Sequence, residues 1–551
     1  MKNILVFPAL LFFVVNGLLA QKKHSQNEFQ FTSQDSLRGS ITKERSWWDV
    51  QKYDLKLRIN PVDSTIIGSN DIRYLVLNHH TTLQIDLQEP LRITKVLQDG
   101  KSLPFKRNGS VFLIDLQKKQ LKGTTNTLTV CYEGKPKSAI RAPWDGGIVW
   151  KKDANGTPFI SSSCQGIGAS IWWPNKDHLY DEVASMTVSL TVPRGLVAVS
   201  NGKLTNTHTL NEDTVTYDWA VENPINNYGV HFSVGDYVSF SENYQGEKGI
   251  LNCTYYVLKP NLEKAQKHFK DVFRMLKAFE YWFGPYPFYQ DGYKLVESPF
   301  LGMEHQSAIS YGNGYKMGYR GNDLSGTGWG LNFDFIIIHE SAHEWFGNSI
   351  TNQDRADMWI HESFASYAES LFLEYYYGKE AGFEYVKGTR MNVVNDRTSI
   401  GIYGVNHQGS GDMYFKGANM LHTLRQFVND DKKWRQILRN LNSKFFHQTV
   451  TTQQVETYLS QSVGRNLTSV FNQYLRDVRI PTWEYRIENN KLWYRWGTCI
   501  SGFDMPVKVF IGNKIKWLKP TEKWKCEVIP SEWVKIKIDN NFYINEKQIR
   551  N

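Results

Sequence analysis

From Trp47 to about Phe240, apolar and polar residues alternate in short runs such as residues 53–59 and 186–192. A period of two puts every second side chain on one face, which predicts strands with one buried side. The turn pairs Asn60-Pro61, Asp99-Gly100 and Asn201-Gly202 separate these runs and predict an all-β domain. From about Tyr255 to Arg479 the spacing becomes helical, over residues 262–283, 332–348 and 357–377. Alternation returns in residues 491–496, 507–511 and 534–538, predicting a small β-sandwich.

The first twenty residues stand apart. Lys2 precedes an apolar run from Ile4 to Val15, and the small residue Ala20 comes before Gln21, as in a signal peptide. The run is too short to span a membrane comfortably, leaving a buried N-terminal helix as the alternative. No later stretch approaches a span, so the expectation is a soluble protein exported to the periplasm or the medium, with no membrane span. The predicted organisation is a signal peptide over 1–20, a polar flexible leader over 21–44 and an N-terminal all-β domain over 45–243. A catalytic region over 244–479 and a C-terminal β domain over 480–551 complete it.

A length of 551 residues exceeds what one core organises, in keeping with several domains. Aromatic residues at 14% and charged residues at 22% exclude wholesale disorder. The net charge of +9 is not gathered into any Lys/Arg run, so nucleic-acid binding has no support. Five cysteines leave at least one unpaired, and Cys499 with Cys526 is the pair to test for a disulfide. Oligomeric state is not legible.

The chemistry sits in the helical region. His339-Glu340-Ser-Ala-His343 follows the apolar run Phe335 to Ile338. Residues i and i+4 share a helix face, so both imidazoles reach one tetrahedral ion, and Glu340 can lie beside a metal-bound water without ligating. Alone, such a pair also arises by chance. A second amphipathic stretch supplies Glu362, where a first-turn carboxylate is favoured by the helix dipole, although a solvated capping role is the bland alternative. Two imidazoles, one carboxylate and an open fourth position suit one catalytic Zn2+ per chain.

With these residues the chain resembles the gluzincin aminopeptidases of the M1 type, a family that includes alanyl aminopeptidases and the leukotriene hydrolase. The pattern His-Glu-x-x-His, eighteen residues, then Glu is met by His339, His343 and Glu362. Gly302-Met303-Glu304-His305 is similar to the family's Gly-x-Met-Glu-Asn exopeptidase motif, and Tyr414-Phe-Lys416-Gly417 to its catalytic-tyrosine segment. Gln165 and the Pro174 to Asp177 element stand where the family has a Gln and a Pro-x-x-Asp. The resemblance covers roughly residues 45–540. It implies a multidomain α+β fold: an N-terminal β-sandwich-like domain, a thermolysin-like, mostly helical catalytic domain and a small C-terminal β-sandwich.

It also implies roles. Peptides with a free N-terminus are the expected substrates, with Glu304 and Gln165 reading the ammonium, Glu340 as general base and Tyr414 donating to the oxyanion. Glu369, seven residues beyond Glu362, is a candidate to orient a ligand His from behind. Tyr311, Tyr315 and Tyr319 either line the cleft or belong to an ordinary loop. His305 departs from the family's Asn; its shape differs, and a charge near pH 6.5 would repel the ammonium. The short C-terminus predicts an open cleft. The alternatives are a zinc endopeptidase, an epoxide-type hydrolase and a catalytically impaired envelope binding protein.

Overall fold

The computed structural model describes residues 29–531 and 535–550. The expected signal peptide, residues 1–20, and residues 21–28 of the leader lie outside the described residues. Three parts follow in chain order: a β-rich N-terminal domain, a largely helical catalytic domain and C-terminal β sheets.

In the N-terminal domain the strand Trp48–Asn60 pairs antiparallel with Thr65–Val76 and parallel with Ser185–Pro193, at the heart of an eight-stranded sheet. Its alternation does what the sequence pattern predicts: Leu55, Leu57 and Ile59 point into the core while Lys56 and Arg58 face water. A second, four-stranded sheet contains Pro158–Ser163, which runs directly into the loop holding Gln165. Burial of the aliphatic and tryptophan side chains between these layers is the main stabilising term here.

The leader differs from expectation. From Phe29 onward it is built into the fold rather than flexible, with helices at Ser33–Gly39 and Lys43–Ser46. Thr32 and Asp35 form a reciprocal cap, and Arg45, fully buried, pairs with Asp86 at 2.6 Å. Phe29 and Phe31 pack on His407 of the catalytic domain, at ring-centroid separations of 4.4 and 5.6 Å. A polar composition hides these few anchoring contacts.

The catalytic domain begins with strands. Tyr237–Gly246 and Gly249–Leu258 open a five-stranded sheet that continues through Tyr293–Glu297 and Ile309–Tyr311 to the edge strand Gly302–Met303. Strand Tyr237–Gly246 therefore joins the catalytic sheet, although its alternation reads as a continuation of the β domain. The helix expected over 332–348 is shorter, Phe335–Ala342. Asp334 starts it by accepting from Ile336 and Ile337 N–H, and Gly347 turns the chain back, donating to Ile350 O at 2.9 Å. Helix Trp359–Tyr377 packs against it and against Phe415–Val428.

The C-terminal part forms a four-stranded and a three-stranded sheet. Cys499 and Cys526 are not bridged; all five cysteines are free. Among the described residues no helix is long and apolar enough to cross a membrane.

Candidate active site

The helix Phe335–Ala342 is buried along its whole length, which follows from its Phe-Ile-Ile-Ile start. His343 caps it in a right-handed conformation, so the i, i+4 relation to His339 is kept. Glu362, in the first turn of Trp359–Tyr377, brings Oε2 to 3.6 Å from His339 Nε2 and 3.4 Å from His343 Nε2. One ligand atom from each of the three lies within 4.8 Å of the others.

The far nitrogens are already engaged. His339 Nδ1 meets Glu369 Oε1 at 2.7 Å, and His343 Nδ1 meets Phe346 O at 2.9 Å. Donation from Nδ1 fixes the tautomer that leaves an Nε2 lone pair facing the cleft. Glu362 Oε2 is buried and accepts no hydrogen bond among the described residues. Two imidazole lone pairs and an unsatisfied carboxylate oxygen converging on one point fit a metal ion. The surrounding carboxylates favour positive charge at that point. Burial alone would depress His339, but the carboxylates of Glu362 and Glu369 outweigh it and hold it well above the ordinary range. Burial would likewise raise Glu362, yet His343 and His339 keep it well below the usual carboxylate range.

Glu340 lies on the same helix with its carboxylate toward the cleft, raised by burial and by Glu362 against the pull of His339 and His343. The edge strand Gly302–Met303 passes so close that a Cβ on Gly302 would sit 2.8 Å from Glu340 Oε1; only glycine allows that approach. Glu304 follows the strand, and its carboxylate forms a second cluster with Glu340 and His343. Burial raises Glu304, partly offset by His343.

Gln165 enters from the other domain. Its Nε2 donates to Glu304 Oε1 at 2.6 Å and to Glu362 Oε1 at 3.2 Å, so the amide acts here as a donor. Asp177 holds the supporting loop, accepting from Ala169 and Ser170 N–H at 3.2 Å each. Tyr414 directly precedes helix Phe415–Val428 and donates to Glu362 Oε1 at 2.9 Å. Gly417 lets that helix settle on Glu362's own helix; a Cβ there would lie 1.8 Å from Ser363 Oγ. Burial and Glu362 hold the Tyr414 phenol neutral, far above its ordinary range.

Two family models match this chain: the peptidase family M1 domain over residues 268–474 and the peptidase M1 N-terminal domain over residues 50–228. The chain belongs to peptidase family M1. A probable aminopeptidase 1 from Sulfurisphaera tokodaii is 21% identical over 421 residues, 73% of this chain and 50% of that protein. Aminopeptidase N from Lactococcus lactis is 22% identical over 459 residues, 78% of this chain and 51% of that protein. This M1 chain thus spans about half the length of the curated relatives it matches. An M1 zinc metallopeptidase from Deinococcus radiodurans has the same fold, with a TM-score of 0.63 at 22% identity over 78% of this chain and 93% of that one.

The M1 cleft, about 380 Å3, gathers Gln165, Gly302, Glu304, His339, Glu340, His343, Glu362 and Tyr414. No Lys or Arg is among its lining residues, so the only basic side chains the carboxylates meet there are His339 and His343. Two motif residues lie elsewhere. Met303 is buried in a small core with Val149, Tyr228 and Phe300. His305 is 0% exposed, stacked on His231 with centroids 4.1 Å apart, its Nδ1 3.0 Å from Ser310 Oγ. Burial, reinforced by His231, holds His305 far below its usual range. His305 is therefore packed away from the cleft lining, in surroundings that disfavour its charge.

Of the three tyrosines, Tyr319 lines the cleft, while Tyr311 donates to Asp334 and Tyr315 to Glu297. Sequence reasoning missed Trp144, Asn392 and Phe415, which also line it. Phe415 was within reach as the neighbour of Tyr414. Trp144, 63% exposed on a loop of the β domain, carries no local signal at all.

Proposed function

We propose that this M1 chain is a zinc aminopeptidase, binding one Zn2+ and releasing single residues from peptides with a free N-terminus. The observation that carries the reading is the carboxylate of Glu304 beside the candidate metal ligands: it clusters with Glu340 and His343 at the head of the cleft. A buried carboxylate with no Lys or Arg among the cleft-lining residues, and with His343 turned to the candidate metal point, favours a substrate ammonium. The aminopeptidase names of the relatives point the same way.

His339, His343 and Glu362 would hold the ion, with Glu369 steadying His339 through Nδ1. When bound, zinc supplies Lewis-acid polarisation of the scissile carbonyl and acidifies water. Glu340 accepts a proton from the attacking water as the C–O bond forms to give a tetrahedral oxyanion, then passes that proton to the amine nitrogen as the oxyanion collapses and the peptide C–N bond breaks. Tyr414, held neutral, has its O–H proton available for the oxyanion. Glu304 and Gln165 fix the ammonium, which sets the cut one residue in. Apolar walls from Leu301, Phe335 and Ile336 keep water away from the reacting carbonyl.

The test is a time course on a six-residue peptide followed by mass spectrometry, with metal content measured alongside. The reading expects stoichiometric zinc and a ladder losing one N-terminal residue at a time, stopped by a chelator. Internal fragments first would mean an endopeptidase, and an inert zinc-loaded protein would turn attention to epoxides or to a binding role. Export is part of the proposal and rests on residues 1–20 alone; a secreted mature protein beginning at Gln21 is the expected result of N-terminal sequencing.

A further inference from the structure

Behind the cleft lies a buried carboxylate that the mechanism above does not use. Glu344 follows the ligand His343, is 0% exposed and points away from the cleft. Its Oε1 accepts from Ser307 N–H at 2.9 Å and from Asn348 Nδ2 at 3.3 Å, and its Oε2 accepts from Tyr286 O–H at 2.9 Å. Asn348 Nδ2 also donates to the main-chain carbonyl of Glu304 at 2.9 Å. Glu344 thus grips the Glu304 turn twice, directly at Ser307 and through Asn348.

That turn needs holding. Ser307 is a non-glycine residue at φ +54°, a left-handed conformation that persists only where its surroundings impose it. The bond from Ser307 N–H to Glu344 is what the surroundings supply, supported by Gly202 N–H donating to Ser307 Oγ at 2.9 Å and Asn201 donating to Gln306 O at 2.6 Å. Glu304 directly follows an edge strand of only two residues, Gly302–Met303, so sheet pairing by itself fixes it weakly. The main-chain path from His343 to Glu304 is long. The path through Glu344 is one side chain, and it ties the ammonium reader to the segment that carries the metal ligands.

We propose that Glu344 is a positioning residue that sets Glu304 against His339 and His343, and so fixes where the substrate's N-terminus stands relative to the reacting carbonyl. Resting on the aminopeptidase reading, it assigns Glu344 to substrate register rather than to chemistry. A misplacement of about 1 Å at such a distance is enough to cost binding or rate heavily.

The variants Glu344→Gln, Glu344→Leu and Asn348→Ala test it. Gln keeps an acceptor for Ser307 N–H, and its amide can donate to the Tyr286 oxygen; Leu keeps the volume and removes both acceptors. With free-amine peptides, Leu raises KM about 10–100-fold, the worth of hydrogen bonds to a buried charge, while kcat changes much less. Asn348→Ala raises KM about tenfold on the same basis, and Gln stays within about threefold of the parent. If Glu344→Leu does not fold, Asn348→Ala and Gln carry the comparison.

Crystal structures of the variants read the inference without any activity: Glu304 shifts in Glu344→Leu and Asn348→Ala and stays in place in Glu344→Gln. That arm stands even if the parent shows no free-amine preference, in which case the aminopeptidase reading fails and the positioning assignment is judged on coordinates. An unchanged KM with Glu304 unmoved in Leu or Asn348→Ala would overturn the inference. So would a Gln variant as impaired as Leu, or equal losses in kcat and KM with zinc released, which would mark Glu344 as merely structural.

Discussion

The end of the cleft proposed to hold the metal comes from two packed helices between residues 339 and 362, whereas the end proposed to read the ammonium joins Gln165 and Glu304, 139 positions apart. At the first end, helix periodicity itself aims the side chains: two turns of one helix and the first turn of the next deliver three ligand atoms. At the second, a β-domain loop braced by Asp177 must meet a two-residue edge strand braced by Glu344 and Asn348. Local geometry builds one end and domain packing the other. Disturbing the interdomain contact should therefore spare metal binding and degrade selection of the N-terminus.

The largest expected effect falls at the metal end. Glu340→Gln is expected to lower kcat by about 10²–10⁴-fold, the range for removing a general acid–base, while zinc content by atomic absorption stays stoichiometric. Appreciable turnover in the zinc-loaded variant would remove Glu340 from the chemistry. Tyr414→Phe deletes the donor and is expected to lower kcat by about 10²–10³-fold with little change in KM. A KM effect alone, read from steady-state kinetics, would place Tyr414 in binding instead.

Smaller effects separate the two ends more finely. Glu369→Ala frees His339 Nδ1 and is expected to weaken zinc affinity about 10–100-fold, measured by competition with a chromophoric chelator. Unchanged affinity would mean that packing, not Glu369, orients the imidazole. Gln165→Ala is expected to raise KM for free-amine peptides about tenfold while zinc affinity is unchanged. Loss of zinc in that variant would contradict the division of the cleft into two independently built ends.

The same division explains what the sequence reveals. His339, Glu340, His343 and Glu362 are legible because their spacing is short and helical, and apolar runs around them announce burial. The alternation of 53–59 and 186–192 gives the β domain for the same reason, that period two survives without knowledge of partners. Strand Tyr237–Gly246 begins inside the expected β domain yet pairs with Gly249–Leu258 in the catalytic sheet, because alternation states that a strand exists, not what it pairs with. His305 looks like a site residue in a motif, yet backbone turns around Ser307 send its ring into a stack with His231. The leader reads as flexible since Phe29 and Phe31 gain meaning only from His407, far along the chain. Trp144 joins the cleft through domain packing alone.

The most direct measurement compares cleavage of one short peptide with a free N-terminus and the same peptide N-acetylated, using zinc-loaded protein. The account predicts strong preference for the free amine, because Glu304 and Gln165 require an ammonium at the head of the cleft. Equal cleavage of the two peptides would contradict it, showing that Glu304 does not read the N-terminus.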